Sequence, residues 1–119
     1  MASEKDLQPD FNRIHELAIA LADKAKAVSS SDPLASKGMY LQAASMEHAV
    51  LQCVVDYPTN AIVAISGACL YFNGEDYARA ELLANTALSI IGDKTEANEY
   101  YFTEATSILH DAQENLQEK

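Results

Sequence analysis

Residues 61–72 read AIVAISGACLYF, a stretch with almost no polar side chain. Buried strands and buried helices both contain runs of this kind, so periodicity alone does not show which of the two residues 61–72 form. The run is long for a strand, its flanking segments show helical spacing, and small residues at Ser66, Gly67 and Ala68 allow a second helix to approach closely. We therefore predict that residues 61–72 form the buried central helix of an all-α fold.

Two helices are predicted before this stretch. The first begins near Asp10, a good N-cap residue, and its apolar positions recur every three or four residues up to residue 28. The second spans residues 33–57, with Asp32 as its N-cap and a proline in its first turn. Pro58 ends this helix, because the residue before a proline is disfavoured in a helical conformation.

Two more helices are predicted after the central one. The fourth begins after Asp76 and ends before Gly92, since glycine commonly follows the last residue of a helix. The fifth begins at residues 93–96, DKTE, which have the spacing of a capping box, and it runs to the C-terminus. Residues 1–119 are thus predicted to form a single five-helix antiparallel array, with residues 1–9 as a flexible N-terminus.

The central hairpin, residues 61–92, resembles one tetratricopeptide (TPR) repeat, a helix–turn–helix unit of about 34 residues. Ala68 stands at the small helix-crossing position, and after the turn the second helix begins YARAELLANTALSI. The residues that would pack this hairpin are Gly67, Ala68, Tyr71, Tyr77, Ala80 and Ala87. The resemblance implies a protein-interaction scaffold, because members of that family usually bind peptides or proteins in a concave groove.

The charge balance excludes two classes of partner. Eight Lys and Arg residues against eighteen Asp and Glu residues give a formal net charge of −10. Proteins that bind nucleic acid or anionic membranes need a basic face, so neither partner is expected. The N-terminus lacks the apolar segment of a secretory signal, and no apolar run reaches the ~18 residues of a membrane span. We expect a soluble, cytoplasmic protein.

Catalytic and metal-binding motifs are missing from the sequence. It contains no glycine-rich phosphate loop, no G-x-S-x-G and no H-E-x-x-H. His15, His48 and His110 lie on three different predicted helices, and none follows a glutamate by three residues. Cys53 and Cys69 lie in apolar stretches without basic neighbours, which predicts reduced thiols buried in the core. We therefore expect no enzyme activity, no cofactor and no metal site.

The fifth helix carries an aromatic residue among acids. Tyr100 lies about 100° around the helix from the apolar side, and Glu104 and Asp111 share its flank. Aromatic residues are enriched in protein interfaces. We expect Tyr100, Glu104 and Asp111 to form an interface with a partner protein that carries a basic patch.

Three functional hypotheses follow from these patterns. The leading one is a non-enzymatic protein-interaction module of TPR-like type. A small-molecule or metal-binding helical bundle is the second, and it requires a pocket that contains at least two histidines or carboxylates. The third, an acidic mimic of nucleic acid, is disfavoured because the acids are scattered over all helices rather than concentrated in one stripe.

The sequence is compatible with two oligomeric states, a monomer and a symmetric homodimer. The first helix has a regular apolar seam, the second has a stripe too wide for one neighbour, and a single repeat-like unit needs companions to cover its faces. Helices 1 and 5 could supply that cover within the chain. Alternatively, a second copy closes the apolar surface in a symmetric homodimer, the commonest oligomer. The exposed Tyr100 favours the homodimer slightly.

Overall fold

The computed structural model describes residues 4–117 of the chain, and their side chains from residue 11 onward. Every regular element in this range is a helix, which confirms the all-α class and the five helices. The helices are α1 (Glu4–Val28), α2 (Pro33–Leu51), α3 (Thr59–Asn73), α4 (Tyr77–Ile91) and α5 (Glu99–Gln117).

Each helix packs against the next one in sequence, and α3 also packs against α5. The result is an array of packed helical hairpins that measures 44 × 31 × 20 Å. Its shortest dimension is that of two layers of helices packed about 10 Å apart. Because α3 contacts α2, α4 and α5, the prediction that residues 61–72 form the central helix is confirmed.

The core consists mainly of small side chains. Alanine is the commonest fully buried residue, which lets helix backbones approach closely. Gly67 lies at a close approach of three helices, since a Cβ at this position would lie 2.7 Å from Cδ1 of Leu83 on α4 and 3.7 Å from Cβ of Glu47 on α2. The two core clusters centre on these alanines: Ala18, Ala43, Ala44, Ala61, Ala64, Ala68, Ala80, Ala84, Ala87, Ala105 and Ala112.

Helix α1 begins at Glu4, so the predicted start at Asp10 is wrong. The sequence interpretation treated Pro9 as a residue that precedes the helix. Proline has a φ angle close to that of a helix, however, and Pro9, the sixth residue of α1, removes one i→i−4 backbone hydrogen bond without ending the helix. Of the N-terminus predicted to be flexible, residues 1–3 lie outside the described residues.

Helix α2 ends at Leu51, six residues before the predicted end at Tyr57. The N–H of Cys53 donates to the carbonyl of Val50 at 2.9 Å, an i→i−3 hydrogen bond of the 3₁₀ type that is common at helix C-termini. Residues 54–55 are β-branched valines, which favour extended backbone. The chain therefore leaves the helix before the proline and crosses to α3 as an irregular connection.

The start of α5 is set by Thr95 and Asn98 rather than by the predicted capping box at residues 93–96. The N–H of Thr95 donates to Oδ1 of Asn98 at 2.8 Å, and the N–H of Asn98 donates to Oγ1 of Thr95 at 3.2 Å. Asn98 also donates from Nδ2 to the carbonyl of Asp93 at 2.9 Å. This reciprocal pattern is a capping box displaced by two residues, and Glu96 stays exposed.

Three other predicted helix ends are confirmed. The side chain of Asp32 accepts from the N–H of Ala35 at the start of α2. The side chain of Asp76 accepts from the N–H of Arg79 at the start of α4. Gly92 follows α4 with a φ of 75°, the left-handed region that favours glycine.

Candidate functional site

An apolar groove with a volume of about 390 Å³ lies between α1, α3 and α5. Among the described residues that line it, one side chain is charged and the rest are mostly aliphatic or aromatic. The lining residues are Ile19 of α1, Ile62, Ile65, Ser66, Cys69 and Leu70 of α3, and Tyr100, Tyr101, Glu104 and Ile108 of α5. Its volume falls within the range of about 300–1,000 Å³ that is typical of ligand-binding clefts.

The groove follows from the apolar character of α3 on two sides. One stripe of this helix, which includes Ala64, Gly67 and Ala68, is buried. A second stripe, at residues 62, 65, 66, 69 and 70, recurs with helical spacing and lines the groove. Helix α3 therefore packs into the core with one stripe and presents the more exposed residues of the other, Ile62 and Cys69, to the groove.

Several apolar residues of the groove are open to solvent. Ile19 and Ile62 are each 40% exposed, and Tyr100 is 72% exposed. Single exposed apolar residues are ordinary, but these three line one concave surface formed by three helices. The arrangement can bind an apolar group by removing this surface from water.

The structure brings together two of the three predicted interface residues. Tyr100 and Glu104 line the groove, and the ring of Tyr100 contacts that of Tyr101 edge-on, with centroids 5.7 Å apart. Asp111 lies elsewhere, in a surface recess of α5 that also contains Lys94. The three residues, which helical angles place on one side of α5, thus lie on two separate surfaces of the protein.

The two cysteines are free and exposed, so their predicted burial in the core is wrong. Cys53 lies in the connection after α2, and Cys69 lines the groove. Desolvation by neighbouring atoms raises the pKa of the Cys69 thiol, and the negative charge of Glu104 raises it further. The error for Cys69 arises because a helix that is apolar on two sides does not show in its sequence which side faces solvent. Cys53 is exposed because α2 ends at Leu51, two residues before it.

The residues expected to pack the central hairpin lie between α3 and α4. Tyr71 is buried, and its hydroxyl lies 3.0 Å from Nδ1 of His48. Tyr77 packs edge-on against Phe72, with ring centroids 5.3 Å apart. The remaining four are buried: Gly67, Ala68, Ala80 and Ala87.

The three histidines have separate partners. Nδ1 of His15 lies 2.8 Å from the carboxylate of Glu47, whose side chain is fully buried. His48 contacts Tyr71, and His110 lies 3.7 Å from Glu114. The described part of the chain therefore does not gather these histidines into one site.

The exposed surface of α5 carries one cluster of metal-ligating side chains among the described residues. Ligand atoms of His110, Asp111 and Glu114 lie within 4.8 Å of one another. All three residues are exposed on one helix, where water solvates them, and no unpartnered buried polar side-chain atom marks an ion site among the described residues. The groove itself contains one carboxylate and no histidine among its described residues, which does not favour a metal-binding bundle.

Sequence reasoning missed the aliphatic part of the groove and the ion pair between His15 and Glu47. Ile62 lies in the stretch that the sequence assigns to the core, and Ile19 lies off the apolar seam predicted for the first helix. His15 and Glu47 are 32 residues apart, so no local pattern links them. The helical spacing of residues 62, 65, 66 and 69 was the available signal, because it forms a second stripe on α3.

Comparison with known proteins gives no relative for this chain. No protein-family model matches it, and no curated protein or solved structure is significantly similar to it. No helix in the described part of the chain is both long and apolar enough for a membrane span. The structure is an array of packed helical hairpins compatible with a repeat-like fold.

Proposed function

We propose that this protein is a non-enzymatic protein-interaction module of TPR-like type that holds a short apolar segment of another protein in the groove between α1, α3 and α5. The observation that carries the proposal is the groove itself, a concave surface of about 390 Å³ lined mainly by aliphatic and aromatic side chains. Such residues form the central, water-excluding part of protein interfaces.

The arrangement of the helices supports this proposal. Three alternate helices, α1, α3 and α5, contribute to one concave surface, while α2 and α4 connect them. Stacked helical hairpins in repeat proteins create extended binding surfaces in the same general way. Tyr100 on the α5 wall of the groove is 72% exposed, so this side of the groove is open to a partner.

The net charge favours a different protein over a second copy in the groove. Each copy has a formal charge of −10, so two copies repel each other over long distances. A partner with a basic patch is attracted instead. A small apolar molecule is the alternative occupant, because the volume of the groove is also that of a small-molecule cleft.

A display selection of random peptides against the purified protein tests the proposal. We expect enriched peptides to lose binding to Ile62→Glu and Ile19→Glu variants, which place a charge in the groove at positions that are 40% exposed. The matched control is Leu82→Glu on α4, because Leu82 is 54% exposed and lines a different recess with His48. Circular dichroism and thermal unfolding verify that each variant is folded.

Two results would contradict the proposal. In the first, the selection enriches no peptide, but apolar dyes bind the original chain and do not bind the Ile62→Glu variant. That result would assign the groove to small molecules. The second is a set of peptides that bind the Ile62→Glu and Ile19→Glu variants as well as they bind the original chain.

A further inference from the structure

Tyr100 and Glu104 lie one helical turn apart on the α5 wall of the groove. Side chains at positions i and i+4 of a helix are neighbours on one face. Both residues line the groove, and both are exposed. An aromatic ring and a carboxylate therefore stand together at the edge of an apolar surface.

Glu104 has no cationic partner within residues 11–117. The other acids near it on the chain have contacts of their own, since Lys94 lies 3.8 Å from Glu99 and His110 lies 3.7 Å from Glu114. No lysine, arginine or histidine lines the groove among the described residues. Glu104 lines the same groove as Cys69, and its negative charge adds to desolvation in raising the pKa of the Cys69 thiol. The groove thus has a negative charge that the described chain does not neutralise.

Tyr100 supplies a second attraction for a cation. Its ring contacts that of Tyr101 at an interplanar angle of 79°, and the residue is 72% exposed. The face of an aromatic ring attracts Lys and Arg side chains through its quadrupole. A cation between this ring and the carboxylate of Glu104 would interact with both.

We infer that Tyr100 and Glu104 bind one Lys or Arg side chain of the partner, whose neighbouring apolar side chains fill the groove. This inference rests on the proposed function and names the chemistry of the partner. The groove runs along α3 from Ile62 to Leu70, about 12 Å at the rise of an α-helix. A partner segment of about eight helical residues, or about four extended ones, covers that length.

Peptides from the display selection described above provide the probe. We expect the enriched sequences to carry Lys or Arg next to a cluster of aliphatic or aromatic residues. Their Kd should rise about threefold for Glu104→Gln and about tenfold for Glu104→Lys, because the first change removes an attraction and the second adds a repulsion. Raising the salt concentration should weaken binding to the original chain more than binding to Glu104→Gln.

The aromatic half of the site has its own variants. Tyr100→Phe should keep Kd within about twofold, because it retains the ring, whereas Tyr100→Ser should raise Kd about fivefold. The matched control for Glu104 is Asp111→Asn, which removes an exposed acid of the same helix outside the groove and should leave Kd unchanged. A new selection against the Glu104→Lys protein should enrich acidic peptides instead of basic ones.

The outcomes separate this inference from the proposed function. Suppose the enriched peptides lack basic residues, fail to bind Ile62→Glu and bind Glu104→Gln with unchanged Kd. That result would overturn the inference and keep the groove as a peptide-binding site. Peptides that bind the Ile62→Glu and Glu104→Gln variants as tightly as the original chain would overturn the inference and the proposed function. Light scattering adds a further outcome: a mass of two chains that falls to one in Ile62→Glu would assign the groove to a second copy, which also overturns both.

Discussion

Nδ1 of His15 lies 2.8 Å from each carboxylate oxygen of Glu47. Glu47 on α2 is fully buried, whereas the side chain of His15 on α1 is 38% exposed. Among the described residues, Glu47 is the one charged residue that is buried. Removing a carboxylate from water costs several kcal/mol unless a partner compensates the charge, so His15 both satisfies Glu47 and ties α1 to α2.

The variant His15→Ala should lower the free energy of unfolding by about 2–3 kcal/mol, because it leaves the carboxylate of Glu47 buried without its partner. Adding Glu47→Gln to that variant should recover part of the loss, since an amide is less costly to bury than a charge. Urea unfolding followed by circular dichroism measures both changes.

The control for His15 is His110→Ala, which changes the same residue type at an exposed position on α5. Its effect should stay within about 0.5 kcal/mol, as is usual for surface substitutions. Equal stability of His15→Ala and the original chain would contradict the structural role of the ion pair.

Local signals in the sequence were sufficient for most helix ends and insufficient for the groove. Asp32, Asp76 and Gly92 act within one turn of their own position, so their roles follow from residue type and spacing. The end of α2 at Leu51 was missed, because the long apolar pattern continues past the residue where the backbone turns.

Long-range packing explains the other failures. The sequence predicts Cys69 in the core because α3 is apolar on two sides, and its packing against the other helices decides which stripe stays open. Tyr100 was correctly expected to be exposed, because its position on α5 relative to the apolar side is a local property. The groove itself combines residues from α1, α3 and α5, a combination that depends on tertiary arrangement.

The close approach at Gly67 predicts a stability change of known sign. Gly67→Leu should lower the free energy of unfolding by about 1–3 kcal/mol, because a Cβ at this position already meets the buried side chain of Leu83 at 2.7 Å. The matched control is Gly38→Leu in α2, where an added Cβ meets no atom within 4 Å. That variant should gain about 0.5–1 kcal/mol from helix propensity. Similar thermal unfolding of the two variants would contradict the packing at Gly67.

The displaced capping box of α5 predicts different effects for two neighbouring residues. Thr95→Ala should cost about 1 kcal/mol, because Oγ1 of Thr95 accepts the N–H of Asn98 at 3.2 Å. Glu96→Ala should have almost no effect, because Glu96 is exposed and forms no side-chain hydrogen bond with the described residues. Denaturant unfolding compares the two variants. A larger loss for Glu96→Ala than for Thr95→Ala would restore the capping box predicted at residues 93–96.

The thiol of Cys69 reports directly on the groove. Since desolvation and the charge of Glu104 raise its pKa, a smaller fraction of this thiol is ionised near neutral pH than for an ordinary exposed cysteine. In a Cys53→Ser variant, the labelling rate of Cys69 with a disulfide reagent should therefore reach its half-maximum at a higher pH than an unstructured thiol peptide does. Adding Glu104→Gln should shift that midpoint to lower pH, because it removes one cause of the raised pKa, whereas the control Asp111→Asn should leave it unchanged. A midpoint that does not move in Glu104→Gln would show that the carboxylate does not act across the groove.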